Sequence, residues 1–259
     1  MRKKKLIYHS DFPGAFTGFG RATKEVLTYL HKTGKYEIIN LCCGMIKDHP
    51  DLDKTPWKSI GILPNTQAEI NQLSNDPSKH RKASYGVFAI DKIIEEEKPD
   101  VWIGVQDPWA FVGFYKKEWF KYLNTVIWTT IDSRPILPEI LNQAAHFANY
   151  WVWADFATKE LHAKGFSQVN TVRGPINTKN FYKLSNKRKQ ELREKNNIEK
   201  DDYIIGFVFR NQLRKLVPNL LKGYSLWKKQ KGIKNSKLLL HTSFDIQDQH
   251  IGKMYEVKV

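Results

Sequence analysis

Two cysteines, Cys42 and Cys43, are all that this chain carries in 259 residues. Adjacent and closing an apolar run, they fit neither a disulfide framework nor a zinc site, so buried reduced thiols are expected. No stretch approaches the roughly 20 apolar residues of a membrane-spanning helix. The basic start Met1-Arg-Lys-Lys-Lys5 resembles the n-region of a signal peptide, but only Leu6, Ile7 and Tyr8 follow before His9, Ser10 and Asp11. An apolar h-region is therefore lacking, and a cytoplasmic protein is expected, with peripheral contact at an anionic membrane face as an option. His146, His162 and His241 stand alone, without a partner at ligand spacing, so no metal is expected. Internal repeats and low-complexity segments are missing too.

What the chain does have is enough apolar and aromatic content, 41% and 13%, to bury a sizeable core. Its net charge of +15 is unevenly placed. Residues 1–178 hold 23 basic and 19 acidic side chains, net +4, whereas residues 179–259 hold 19 and 8, net +11. Such a tail suits nucleic acid, anionic lipid, a diphosphate or plain solvent. No nucleic-acid-binding motif surrounds these residues, so nucleic acid is not the expected partner.

Short β-rich runs alternate with helical patterns, the mark of parallel βαβ units. Residues 6–10, 36–42, 101–105, 125–131, 150–153 and 169–173 read as strands. Most are apolar on both faces, as a sheet covered by helices above and below requires. Helical spacing marks 21–32, 85–97, 108–123, 138–149 and 155–164. Residues 47–82, with four prolines, read as an irregular excursion. After a charged helical stretch at 185–199, the pattern restarts with strand 203–209, helix 217–229 and strand 237–241. The organisation expected is thus a first domain over 1–178, a linker with a charged helix over 179–202 and a second, partial α/β domain over 203–259.

In open parallel sheets, ligands gather beyond the carboxyl ends of the strands. One such place is the loop from Asp11 to Arg21, where Gly14, Gly18 and Gly20 permit close backbone approach and a helix start offers free N–H groups to an anion. Two glycines of the dinucleotide fingerprint are present and the third is not, so a simple tight turn is the competing reading. A second place joins Gln106-Asp-Pro-Trp109 to Trp128-Thr-Thr-Ile-Asp-Ser-Arg-Pro135. Asp107 and Asp132 are the candidates there to hold sugar hydroxyls or a proton in flight, and Asp107 before Pro108 reads equally as a helix cap. The third is Gly206-Phe-Val-Phe-Arg-Asn-Gln-Leu-Arg-Lys215, whose Arg210 and Lys215 suit the phosphates of a nucleotide diphosphate or are ordinary surface charges. Trp102, Trp128, Trp151 and Trp153 read as core, and Trp57 and Trp109 as freer to meet a sugar.

The order of these pieces, with Gly174-Pro-Ile-Asn-Thr-Lys-Asn-Phe181 between them, resembles the retaining glycosyltransferases with two facing Rossmann-like lobes, the GT-B fold, of the glycosyl-transferase group 1 type. The resemblance implies an α/β chain with a complete N-terminal acceptor lobe and a partial C-terminal donor lobe. It implies transfer of a hexose from a nucleotide diphosphate sugar, the co-substrate, to a glycan or lipid-linked acceptor, without metal or other cofactor. Arg210 and Lys215 fall on the family's donor-diphosphate pair. Gly18, Gly20 and Arg21 fall on the loop that faces donor and acceptor across the cleft, and Asp132 lies near a cleft histidine or acid. The family's late pair of glutamates has no counterpart before Val259, so the chain is expected to be a fragment or a short form, and a non-catalytic carbohydrate- or subunit-binding role is the alternative.

Overall fold

The computed structural model describes residues 2–243; the last part of the expected second domain, 244–259, lies outside them. Alternating elements run from β1 (Lys4–Asp11) and α1 (Gly18–Lys32) through β2 (Tyr36–Ile46), β3 (Lys58–Leu63), α2 (Gln67–Ser74), α3 (Pro77–Ser84) and α4 (Ile90–Glu97) to β4 (Val101–Gly104). Three short 3-10 turns lead to β5 (Asn124–Thr129), α5 (Pro138–His146), β6 (Asn149–Val152), α6 (Asp155–His162) and β7 (Val169–Thr171). These strands form one wholly parallel sheet of seven in the order β3-β2-β1-β4-β5-β6-β7. The chain divides into two compact units at the junction of Phe181 and Tyr182.

Both faces of the large sheet are buried, which is why its strands read as continuous apolar runs. Ile7, Ile39, Leu41, Ile62, Trp102 and Ile127 pack on one face beneath Ile90, Ile93 and Ile94 of the α4 side, with Phe111, Phe114 and Trp119 from the 3-10 turns. Tyr8, Ile38, Val105 and Trp128 pack on the other with Leu27 of α1. Trp102 is 0% exposed and lies edge or tilted against Phe111, Phe114, Trp119 and Phe147.

Three expectations change. The stretch 47–82 is ordered, carrying β3, α2 and α3. Its helix starts are written locally: the Thr66 hydroxyl accepts from the Glu69 N–H, and the Asp76 carboxylate accepts from the N–H groups of Ser78 and Lys79, with Pro77 in the first turn. The single helix expected over 108–123 is instead broken, because Gly113 takes φ +86 and three aromatic side chains must turn inward on either side of it. Gly86, at φ +71, likewise delays the start of α4 to Ile90.

In the second unit, β8 (Tyr203–Val208) and β9 (Ser236–His241) pair in parallel, joined by α8 (Val217–Gln230) and preceded by α7 (Asn186–Lys195). The Arg193 guanidinium donates to the carbonyls of Glu199, Lys200 and Asp202, tying the end of α7 to the start of β8. The Tyr224 hydroxyl donates to the Ser236 carbonyl at 2.9 Å, docking α8 on β9.

Trp102→Ala is expected to destabilise the first unit by about 3–5 kcal/mol, since it removes the centre of the aromatic core. Phe16→Ala, at a site 93% exposed, should stay within about 0.5 kcal/mol. Urea unfolding of both variants checks the contrast.

Candidate functional site

Strand order reverses between β1 and β4, the switch point at which open parallel sheets bind ligands. Asp11 ends β1, and Gln106 and Asp107 follow β4. The Gln106 side-chain amide and the Thr17 hydroxyl both donate to the Asp11 carboxylate. Thr130, after β5, donates to Asp107 at 2.8 Å, and Thr129 donates to the Gln106 carbonyl at 2.7 Å. One polar network thus spans the ends of β1, β4 and β5. It is braced from below, where the Ser10 hydroxyl donates to the Val105 carbonyl and the Gln143 amide, itself held by the Tyr150 hydroxyl, donates to the Pro108 carbonyl.

Burial raises the Asp11 carboxyl above its ordinary value, and the neighbouring Asp107 charge adds to this while the bonds from Thr17 and Gln106 oppose it. A half-buried carboxyl so tuned is suited to take a proton from a ligand hydroxyl. Tyr85, also half-buried, lies within electrostatic range of Cys43, Asp11 and Asp107, and burial pushes its phenol upward. Cys42 is pushed to about 12 by burial and Cys43 well above its ordinary value, so both are thiols at neutral pH. His9 is fully buried, accepts from the Trp102 indole N–H at 3.4 Å and is lowered to about 3 by burial, which keeps it neutral.

The glycine-rich loop enters α1 three residues earlier than its pattern suggests, at Gly18. Thr17 is the cap, its hydroxyl accepting from the Gly20 N–H at 2.9 Å while donating to Asp11. The loop is therefore coupled to the acid network through one side chain. A Cβ on Gly20 would stand 2.6 Å from the Ala15 carbonyl oxygen and 2.8 Å from that of Phe12, whereas one on Gly18 would meet nothing within 4 Å. Arg21 is exposed in the first turn of α1.

Asp107 joins the network and makes no capping bond to the turn that follows it. Asp132 is exposed, and among the described residues its carboxylate has no hydrogen-bond or ion-pair partner and is no member of the Asp11–Asp107 network. Trp102 and Trp128 are core, Trp151 and Trp153 are partly buried, Trp57 lines a pocket beside the glycine-rich loop and Trp109 is 40% exposed. In the second unit, Arg210 and Lys215 both lie in the segment that links the carboxyl end of β8 to the start of α8, Arg210 exposed and Lys215 partly so. Asp11, Gln106 and Tyr85 are the additions over the sequence reading. Asp11 and Gln106 stand 95 positions apart, and nothing in local pattern pairs them. Among the described residues, no group of three His, Cys, Asp or Glu is placed to hold a metal ion, and no helix is long and apolar enough to cross a membrane.

No family model matches this chain, and no curated protein does. Solved structures do resemble it. Sucrose-phosphate synthase from Thermosynechococcus elongatus superposes with TM-score 0.58 at 16% identity, over 95% of this chain and 64% of that one. The S. aureus MnaA-UDP co-structure gives 0.54 at 15% identity, over 94% and 64%. The lipopolysaccharide outer core galactosyltransferase WaaB, in its apo form, gives 0.50 at 14% identity, over 93% and 69%. The chain spans 64% of the length of the first two. Likeness at this identity carries the fold: an α/β chain of the GT-B class, with a complete seven-stranded first lobe and part of a second.

Gly20→Ala is expected to lower stability by about 1–3 kcal/mol, because the loop backbone must move, while Gly18→Ala leaves the fold unchanged. Thermal unfolding of the two variants tests this. Asp11, whose folded-state affinity for its proton is raised, withdraws stability as pH rises from its ordinary value of 3.8 through the raised one. Asp11→Asn lacks that loss. Its melting temperature relative to the wild type should therefore climb as pH rises above about 4, and a flat difference would contradict the raised proton affinity.

Proposed function

We propose that this chain serves sugar transfer from a nucleotide diphosphate sugar to a glycan or lipid-linked acceptor, with retention at the anomeric carbon. The observation that carries the reading is the convergence of Asp11, Gln106, Asp107 and Thr130 at the switch point of the first sheet. Carboxylates and amides fixed this way recognise vicinal hydroxyls, and the tuned Asp11 is the group suited to accept a proton from the attacking one. The likeness to sucrose-phosphate synthase and WaaB supports the same class, and the UDP in the MnaA structure supports a nucleotide diphosphate as the ligand.

In this reading the first unit takes the acceptor and the second the donor. Arg210 and Lys215 hold the diphosphate and stabilise its charge as it departs. Gly18 leaves space at the start of α1 for a ligand to approach the backbone, and Arg21 adds a positive charge in the same turn. Asp132, free of partners among the described residues, is the second candidate acid. No metal is required, because the cations of the loop after β8 take its role. The basic excess of 179–259 suits a cytoplasmic protein that rests against an anionic membrane where a lipid-linked acceptor is presented.

The test is release of nucleoside diphosphate from a panel of nucleotide hexoses, with and without carbohydrate acceptors. Arg210→Ala and Lys215→Ala should each lower kcat/KM by about 10²–10³ without altering the melting temperature, as both are surface side chains. Unchanged turnover in the double variant would remove the donor assignment. Conversion of the nucleotide sugar without an acceptor would move the reading to epimerisation, and carbohydrate binding with no turnover would leave a binding protein.

A further inference from the structure

Beside the acid network, the first unit has a small pocket of about 220 Å3, lined by Arg81 and Lys82 of α3, by Tyr85 and Val87, and by Trp109 and Val112. This is below the roughly 300–1,000 Å3 of a drug-sized ligand site, so it suits one ring or one anionic group. Its lining holds two cations and no acid. The Arg81 guanidinium lies over the Trp109 ring, with Cζ 4.0 Å from the ring centroid, and the Tyr85 ring meets Trp109 edge-on at 88° and 4.8 Å.

Stacking uses the face of the guanidinium and leaves its N–H edge free. Arg2, Arg134 and Arg173 of the same unit each pair with a carboxylate. Among the described residues, the Arg81 side chain has no hydrogen bond and no ion pair, and neither has that of Lys82. A cation on the last turn of α3 is favoured by the helix dipole, but the dipole asks for no aromatic plate beneath it. Trp109, braced edge-on by Tyr85, supports the guanidinium before any ligand arrives, and such preorganisation favours bidentate recognition of phosphate or carboxylate. Trp109, two residues after Asp107, connects this pocket to the network, and Tyr85 feels the charges of Asp11, Asp107 and Arg81.

We propose that the Arg81–Trp109 pocket binds an anionic group, phosphate or carboxylate, on the sugar acceptor, whose hydroxyls then meet Asp11 and Asp107. The acceptor role rests on the transferase reading; the anion site does not. Calorimetry without any donor keeps the two apart, titrating the full chain with glucose 6-phosphate, glucuronate, glucose and inorganic phosphate. The charged sugars should bind at least about tenfold more tightly than glucose, and Arg81→Ala should erase that difference. Arg81→Lys, keeping charge but losing the fork, should recover only part of it, and Trp109→Leu should weaken the charged sugars alone. Whichever charged sugar binds more tightly tells phosphate from carboxylate. Equal affinity for glucose and both charged sugars, or no effect of Arg81→Ala, would overturn the site. Inorganic phosphate binding as tightly as glucose 6-phosphate would overturn its role toward a sugar. Because Arg81 is exposed, loss of folding does not confuse the outcome.

Discussion

Because β1 continues into a helix on one face of the sheet and β4 into turns packed on the other, their carboxyl ends diverge and leave a gap that the chain must close with side chains. The closing contact is the Gln106 amide on the Asp11 carboxylate, with Ser10 on the Val105 carbonyl directly beneath. Around it the rest of the first unit takes its place. Thr17 caps α1 and reaches Asp11, which sets where the glycine-rich loop lies. Thr130 on Asp107 then extends the same network to β5. Removing the pairing would leave the Asp11 carboxylate with Thr17 as its remaining donor and the buried Gln106 amide without that acceptor, and such groups cost more unpaired than their bond is worth when made.

The same packing decides which ionisable groups are available for chemistry. His9, two residues before Asp11, is sealed beneath the Trp102 cluster and neutral. Cys42 and Cys43 are held as thiols by burial. Asp11 escapes this fate because it ends its strand instead of lying inside it: it is desolvated enough to be tuned and exposed enough to meet a ligand. Position along one strand therefore separates an inert residue from a candidate base.

Each unit, taken by itself, presents a small group of cations. In the first these are Arg81 and Lys82, shaped by Trp109; in the second, Arg210 and Lys215 after β8. Arg81 is held by a ring, so its geometry is specific, whereas Lys187, Lys189 and Lys195 of α7 are carried on a helix with no buried residue and add a general positive field.

Much of the architecture was legible in order and kind. Six of the seven large-sheet strands stand where apolar runs placed them, because parallel strands covered on both faces leave that mark locally. The missing one, β3, was obscured by surrounding prolines, although Thr66-x-x-Glu69 and Asp76-Pro77 already spelled two helix starts. The break of 108–123 at Gly113 was hidden, since helical spacing and a run of turns that bury Phe111, Phe114 and Trp119 look alike in one dimension. Strand and helix identity, the glycine loop and the basic segments follow from interactions that act within a few residues: side-chain alternation, capping and charge. Which acid is tuned, which tryptophan supports an arginine and which two residues 95 positions apart share a hydrogen bond depend on strand order and burial, and these exist only when the whole sheet has assembled.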